Sequence, residues 1–319
     1  MSDDWTFIQA IRDEPQELLP RLIYADYLEA EGDLRGELIR VQCELTTLPP
    51  GDPARAALAD RERELLESHG EEWLAPLRAL GVEGVSIKCF ERGLIERVRL
   101  SSIDFIRNGY ELCDRMPALR RVELRHVAEI ANELAEFVPP PEITELDLSA
   151  NGLNADVVAN LANANIWRQL VKLDLSFNRL GQADVVEQLI RIRLPFLKEL
   201  SLAINRIRES ELETLSAWIL KMTGILTELD LSNNPFGQDG FAFLVSTGAL
   251  DQLEKLNVAS CQLTSVMPLV DRESQLSLRE LNARSNRLTE TAWKDWQTSE
   301  LGDRVEIVDA RNAQHAPPY

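Results

Sequence analysis

Residues 170–180, LVKLDLSFNRL, and residues 197–207, LKELSLAINRI, set down one phrase twice: apolar-x-x-apolar-x-apolar-x-x-Asn-x-apolar. Outward from them it recurs as ITELDLSANGL from Ile143, LTELDLSNNPF from Leu226, LEKLNVASCQL from Leu253 and LRELNARSNRL from Leu278. The six starts lie 27, 27, 29, 27 and 25 residues apart. A period of that length means a stacked solenoid, in which each unit buries its apolar face only against its neighbours.

The phrase divides into three sets. Its first, fourth and sixth positions point inward, so Ile143, Leu146 and Leu148 stack on Leu170, Leu173 and Leu175, and so on along a parallel sheet of short strands. Between strands run helical stretches such as NADVVANLANA, GQADVVEQLIRI, RESELETLSAWIL and GQDGFAFLVSTG. Strands sit about 4.8 Å apart and packed helices about 8 to 10 Å apart, so the sheet lines a concave face. The ninth position holds Asn151, Asn178, Asn205, Asn234 and Asn286, where the chain leaves the sheet with unpaired N–H and C=O groups that an amide can satisfy. Losing one such partner costs roughly 1 to 3 kcal/mol, against roughly 2 to 5 kcal/mol for cutting an inward leucine such as Leu175 to alanine. Cys261 stands in for asparagine in the fifth copy as a buried structural thiol.

Upstream the pattern weakens. Ile95-x-x-Val98-x-Leu100 and Leu119-x-x-Val122-x-Leu124 keep the apolar spacing without the asparagine and read as degenerate entry repeats. VSIKCF and LIERVRL alternate about the turn Glu91-Arg92-Gly93, which predicts a hairpin. Residues 6–46 read as helices, with Pro15 at a helix start, a break at Gly32 and Asp33 as an N-cap. Pro49, Pro50, Gly51 and Pro53 end that unit. A further charged helix, ARAALADRERELLESHG, presents Leu58, Leu65 and Leu66 on one face and is expected to stop at Gly70. Downstream, Trp293 and Trp296 pack the final helix. Val305-x-x-Val308-x-Ala310 is a last weak strand, and AQHAPPY trails off.

Composition sets the outer bounds. The chain of 319 residues is 45% hydrophobic and carries a net charge of −19, with an isoelectric point near 4.7. Up to residue 78, 18 acidic side chains face 8 basic ones, so about half of the charge lies in the first quarter. Such a charge repels phosphate backbones and anionic membranes and draws a basic partner. MSDDWTFIQA has no basic leader region, and no apolar run approaches the roughly 20 residues of a membrane span, so a cytoplasmic location is expected. Cys43, Cys89, Cys113 and Cys261 have no paired spacing and read as reduced thiols rather than a disulfide framework or a zinc site.

The repeat resembles the leucine-rich repeat, and its length with a helix per unit is similar to the ribonuclease-inhibitor-like class. FIQAIRDEP, RLIYADYLEAEGDLRGELIRVQCEL, HGEEWLAPL and FERGLIERVRL resemble the bacterial repeat-companion domain, which implies a bacterial source and carries no established activity. The expected fold is therefore α/β, a curved leucine-rich-repeat solenoid with an all-helical N-terminal cap. Its expected divisions are the companion domain over 1–80, hairpin and entry repeats over 81–127, repeats over 128–313 and a tail over 314–319.

Chemistry-bearing clusters are few. Asp26, Glu29, Glu31 and Asp33 lie near Arg21, Arg35 and Arg40, where ion pairs between helices outweigh a cation site or an acid/base pair. His69, His126 and His315 have no relay partners, and no phosphate loop, dinucleotide fingerprint or nucleophile elbow occurs. No catalytic residue, cofactor or metal is assigned. The displayed set carries the functional expectation. Position three holds Glu145, Lys172, Glu199, Glu228, Lys255 and Glu280. Position five holds Asp147, Asp174, Ser201, Asp230, Asn257 and Asn282. Position eight places Phe177 beside Ile204, and position ten holds Arg179, Arg206 and Arg287. An apolar centre in a charged field reads as a face for a protein or peptide partner, not for nucleic acid or a membrane. The candidate contacts are Glu145, Asp147, Asp174, Phe177, Glu199, Ile204, Glu228, Asp230, Arg179 and Arg206. Two alternatives stand beside it: a regulator of an enzyme of the GTPase-activator or inhibitor type, or an N-terminal enzyme built on Asp26, Glu29 and Asp33 with the repeats as its selector.

Overall fold

The computed structural model describes residues 5–80, 85–116 and 118–308, and the chain divides into two compact units, Met1–Glu123 and Leu124–Tyr319. In the first unit four helices come first: α1 (Trp5–Asp13), α2 (Leu19–Ala30), α3 (Arg35–Thr47) and α4 (Ala54–Arg78). The first three share a core of Ile8, Ile11, Tyr24, Ala25, Leu28, Ile39 and Cys43. Pro15 does not open a helix. It lies in the turn before α2, whose first turn carries Pro20 instead. Asp33 is not the N-cap of α3, a place Leu34 takes without a side-chain cap; its carboxylate instead accepts from the Arg35 N–H at 2.9 Å, one residue further out.

Gly70 does not stop α4, which runs on to Arg78. A Cβ at Gly70 would lie 2.5 Å from Cγ2 of Ile87. The glycine is there for a close approach, not for a helix end.

The hairpin forms, though shorter than the alternation suggests. β1 (Phe90–Glu91) pairs antiparallel with β2 (Leu94–Ile95), while Ile87–Cys89 is a 3-10 turn. Arg92 and Gly93 make the two-residue connection with φ of 50° and 82°, the left-handed pair a tight hairpin needs. The Gly93 N–H donates to Oε1 of Gln42 at 2.5 Å. The chain continues as β3 (Arg97–Ser101), α5 (Ser102–Arg115) and β4 (Arg121–Arg125), with Val98, Leu100, Val122 and Leu124 buried. The N–H groups of Arg120 and Arg121 both donate to the Glu96 carbonyl at 3.0 Å. Val171 and Lys172 do the same to Thr144 in the second copy of the phrase. The two degenerate segments thus share the repeat's register.

The second unit is the solenoid. After α6 (Ala131–Glu136), strand and helix alternate: β5 (Glu145–Asp147), α7 (Ala155–Leu161), β6 (Lys172–Asp174), α8 (Ala183–Leu189), β7 (Glu199–Ser201), α9 (Leu212–Leu220), β8 (Glu228–Asp230), α10 (Gly237–Ser246), β9 (Lys255–Asn257), α11 (Met267–Val270), β10 (Glu280–Asn282), α12 (Glu290–Gln297), α13 (Glu300–Arg304) and β11 (Glu306–Val308). β5 to β11 form a parallel sheet in sequence order, with Leu146, Leu173, Leu200, Leu229, Leu256, Leu281 and Ile307 in register along it. Every residue at positions one, four and six of the six copies is buried. The fold is an α/β leucine-rich-repeat solenoid preceded by an all-helical stretch. Trp293 and Trp296 are both buried on α12, and Ala310, His315 and the tail lie outside the described residues.

Gly93 carries the sharpest constraint of the first unit, because a Cβ there would approach Cγ1 of Ile39 to 2.1 Å at a positive φ. Gly93→Ala is expected to cost about 3 kcal/mol, overpacking and left-handed strain together, as a lowered denaturant midpoint.

Candidate binding face

The site is built from the turns that leave each strand. Asn178 is buried and its amide is fully engaged. Nδ2 donates to the carbonyls of Leu175 at 2.9 Å and Ser176 at 3.2 Å in its own copy, and to Leu148 of the preceding copy at 3.0 Å. Oδ1 accepts from the N–H groups of Asn151 and Leu153, both at 3.1 Å. Asn205 repeats the pattern onto Leu202, Ala203, Leu175, Asn178 and Leu180, and Asn234 onto Leu231, Ser232, Leu202, Asn205 and Ile207. Each amide ties two successive turns together.

Cys261 keeps half of that function. Its thiol donates to the Leu231 carbonyl at 3.2 Å, where an asparagine Nδ2 would, and its own N–H donates to Oδ1 of Asn286 at 2.9 Å. Burial pushes the thiol up to about 12, a state that suits a donor and not a nucleophile.

The ladder imposes a backbone on position eight. Ala150, Phe177, Ile204, Asn233, Ser260 and Ser285 all have φ between 55° and 57°. Asparagine tolerates this left-handed region; a β-branched isoleucine is the poorest fit for it. The Phe177 N–H donates to the Ala203 carbonyl at 3.0 Å and that of Ile204 to Ser232 at 2.9 Å, which holds the two side chains on adjacent turns. Phe177 is 59% exposed and Ile204 half-buried. The six residues at this position, of five types, share no signature, so the strain has no trace in the sequence.

The charged columns are less free than their listing suggests. At position five, Oδ1 of Asp147, Asp174 and Asp230 accepts the N–H two residues on, at 3.0, 2.8 and 2.8 Å. Asp147 is only 7% exposed, and Oδ2 of Asp230 accepts from Asn257 at 3.0 Å. These aspartates close their own turns. Position seven is buried at Ser176, Ala203 and Ser232. At position three, Lys172 pairs with Glu199, and Lys255 lies 3.1 Å from Glu228 and 3.9 Å from Glu280. The hydrogen bond to Glu228 holds the Lys255 amine above its ordinary range. Glu145 is half-buried, while Arg179 and Arg206 are exposed, Arg206 with φ of 60°.

The N-terminal cluster resolves into ion pairs: Arg40 with Asp26 and Glu29, and Arg35 with Asp33. Arg21 is not part of it; it turns inward to Glu96 at 2.7 Å. No three or more His, Cys, Asp or Glu side chains among the described residues gather as a metal site, and no described helix is long and apolar enough to cross a membrane.

Residues 226–245 match the family model of the Leucine Rich Repeat. No curated protein matches the chain in sequence. Among solved structures it is similar to an internalin of Listeria monocytogenes, at 17% identity and a TM-score of 0.34, over 63% of this chain and 66% of the internalin, just under two thirds of its length. It is also similar to the yeast Rad7 and Elc1 complex, at 14% identity and 0.36 over 80% and 83% of the chains. A complex of latrophilin 3, Unc5D and FLRT2 follows at 16% identity and 0.25, over 62% and 77%. Likenesses so remote say nothing of activity or partner. The matched repeat, and five further copies in the same register, make this a leucine-rich-repeat chain.

Two outcomes follow from the ladder. Asn205→Ala strands the N–H groups of Asn178 and Leu180 in a dry turn, while the carbonyls of Leu175, Leu202 and Ala203 each keep one other donor; it is expected to cost roughly 3 kcal/mol, whereas Asn286→Ala, where water reaches the half-buried site, costs distinctly less, and equal losses in urea titrations would contradict the ladder. An unfolded thiol ionises near pH 9 while folded Cys261 holds its proton to about 12. The unfolded chain therefore loses that proton first. Stability from this group is full below pH 9 and falls as pH rises toward 12. A Cys261→Ser variant should lose less stability over that window.

Proposed function

We propose that this chain is a non-enzymatic interaction module that binds a protein or peptide through the concave sheet face and the turns that follow its strands, with Phe177 and Ile204 as the anchor. The observation behind this is that two large apolar side chains occupy strained backbone positions. A left-handed conformation costs an L-residue about 1 to 2 kcal/mol. Phe177, at 59% exposure, recovers little of that by burial. Strain that stability does not repay is a mark of a functional position.

The surroundings fit an anchor. Lys172 with Glu199, and Lys255 with Glu228 and Glu280, lay a mostly self-neutralised polar ground beside the pair, and exposed Arg179 and Arg206 form a rim. Binding energy at interfaces concentrates in such a centre, with the rim excluding water and setting register. Asp147, Asp174 and Asp230 serve the partner only through the carboxylate oxygen that does not close the turn. The pair therefore weighs more in this reading than net charge, and the partner's matching feature is an apolar side chain flanked by polar groups.

The double variant Phe177→Asn, Ile204→Asn separates this from a structural role. Asparagine accepts the left-handed turn, so the midpoint of thermal unfolding should rise, by about 1 kcal/mol per site, while crosslinking and mass spectrometry should show partners of the wild-type chain lost. A fall in stability would mark the two side chains as cover for the core. Retained partners would remove the anchor.

A further inference from the structure

In the first unit a buried carboxylate gathers more arginine than it can neutralise. Glu96, 2% exposed, receives Nη2 of Arg21 at 2.7 Å, Nη2 of Arg92 at 3.1 Å and Nη2 of Arg120 at 2.9 Å. Arg21 is 0% exposed; its Nη2 also donates to the Pro15 carbonyl at 2.9 Å, while its Nε and Nη1 are buried without a hydrogen-bond partner. Burial pulls the Arg21 pKa below its usual range. Glu96 opposes that pull, and the neighbouring charges of Arg92 and Arg120 add to it. Arg21 and Arg92 touch no other carboxylate among the described residues.

Beside this cluster opens a cavity of about 1080 Å³, with Arg92, Arg120, Arg55, Gln42 and Glu62 among its polar lining and Leu48 and Phe90 among its apolar lining. Arg55 spends Nη1 on the carbonyls of Leu45 and Leu48, both at 2.7 Å, which leaves its Nε–Nη2 edge without a partner among the described residues. Arg92 spends Nη2 on Glu96 and leaves Nε and Nη1 likewise. Glu62 accepts from Gln42 at 2.6 Å, and Glu91, also on the wall, pairs with Arg97 at 2.8 Å. A wall with one idle guanidinium edge on Arg55 and further unpartnered N–H groups on Arg92 is notable in a chain of net charge −19.

We propose that this cavity binds a small phosphorylated molecule, with its phosphomonoester group on Arg55 and Arg92 and its organic part against Leu48 and Phe90. The Nε–Nη2 edge of Arg55 together with an N–H of Arg92 asks for three acceptor oxygens, more than one carboxylate has, and a phosphate's three terminal oxygens supply them. Arg21 stands behind the wall, sharing Glu96 with Arg92 and Arg120. The site lies wholly within the first unit and is independent of the reading given to the repeats.

Calorimetry on the full chain with inorganic phosphate, phenyl phosphate and benzoate tests it. Saturable binding of both phosphates is expected, phenyl phosphate the tighter, with benzoate at least about tenfold weaker, a step of one decade in Kd. No saturation by either phosphate, or benzoate equal to phenyl phosphate, would overturn the proposal. Arg92→Gln and Arg55→Gln should each weaken phenyl phosphate about tenfold or more. Because Arg55 also ties two carbonyls, Glu62→Gln serves as a second variant that leaves the donors in place; it removes a competing charge and should tighten phosphate. If Glu62→Gln left the affinity unchanged, or if Arg206→Gln in the second unit weakened binding as much as Arg92→Gln, the site would be elsewhere.

Discussion

A side-chain amide that bonds to two consecutive turns is the interaction from which the rest of the solenoid follows. Leucines alone would stack these units, because burial is non-directional and rewards any arrangement that excludes water. The amide of Asn178 is directional. It accepts N–H groups from the turn before and donates to carbonyls on both sides. That geometry allows one turn shape only, and the turn shape is what gives position eight the same φ to within 2° in all six copies. Core and display are therefore coupled: the backbone that satisfies the ladder is the backbone that holds Phe177 and Ile204 where they stand.

The ladder also explains its own exception. An asparagine side chain offers donors and an acceptor, a thiol one weak donor and one weak acceptor. Cys261 keeps the donation to Leu231, and the Asn286 amide of the next copy still satisfies the N–H groups of Cys261 and Leu263. Only one turn is served by the weaker group. Because every amide belongs to two turns, a single substitution is shared between neighbours rather than opening a gap.

How far the sequence reveals this depends on whether a feature repeats. The stacking leucines and the asparagine ladder recur every 25 to 29 residues, so register alone assigns them. What the periodicity hides is the use of each displayed atom. Asp174 reads as a surface charge, yet its Oδ1 closes the turn onto Ser176, because a carboxylate one carbon from the backbone reaches its own chain more easily than a partner. Nor does residue type reveal the left-handed φ at position eight. The misread helix end at Gly70 and the misplaced Arg21 have the same origin: their reasons, Ile87 in one case and Glu96 in the other, lie 17 and 75 residues away with no repeat to announce them.

Glu96 also ties the helices of the first unit to its first entry repeat. It occupies the second position of the first degenerate copy, and its carbonyl takes the N–H groups of Arg120 and Arg121 as Thr144 takes those of Val171 and Lys172. In the regular copies that second position is half-exposed or exposed, at Thr144, Val171, Thr227 and Arg279 among others. Here the carboxylate points instead at buried Arg21 on α2, so a single residue carries the repeat's register in its backbone and the helices' counter-charge in its side chain. Cutting the chain near residue 80, where the helical composition gives out, would leave Arg21 inside with no counter-charge. Stranding a buried ion of this kind costs about 3 to 5 kcal/mol, a large share of the 5 to 15 kcal/mol that typically holds a domain together. The helices therefore need the chain to run on past the hairpin, because Glu96, between β2 and β3, supplies the acid that Arg21 pairs with.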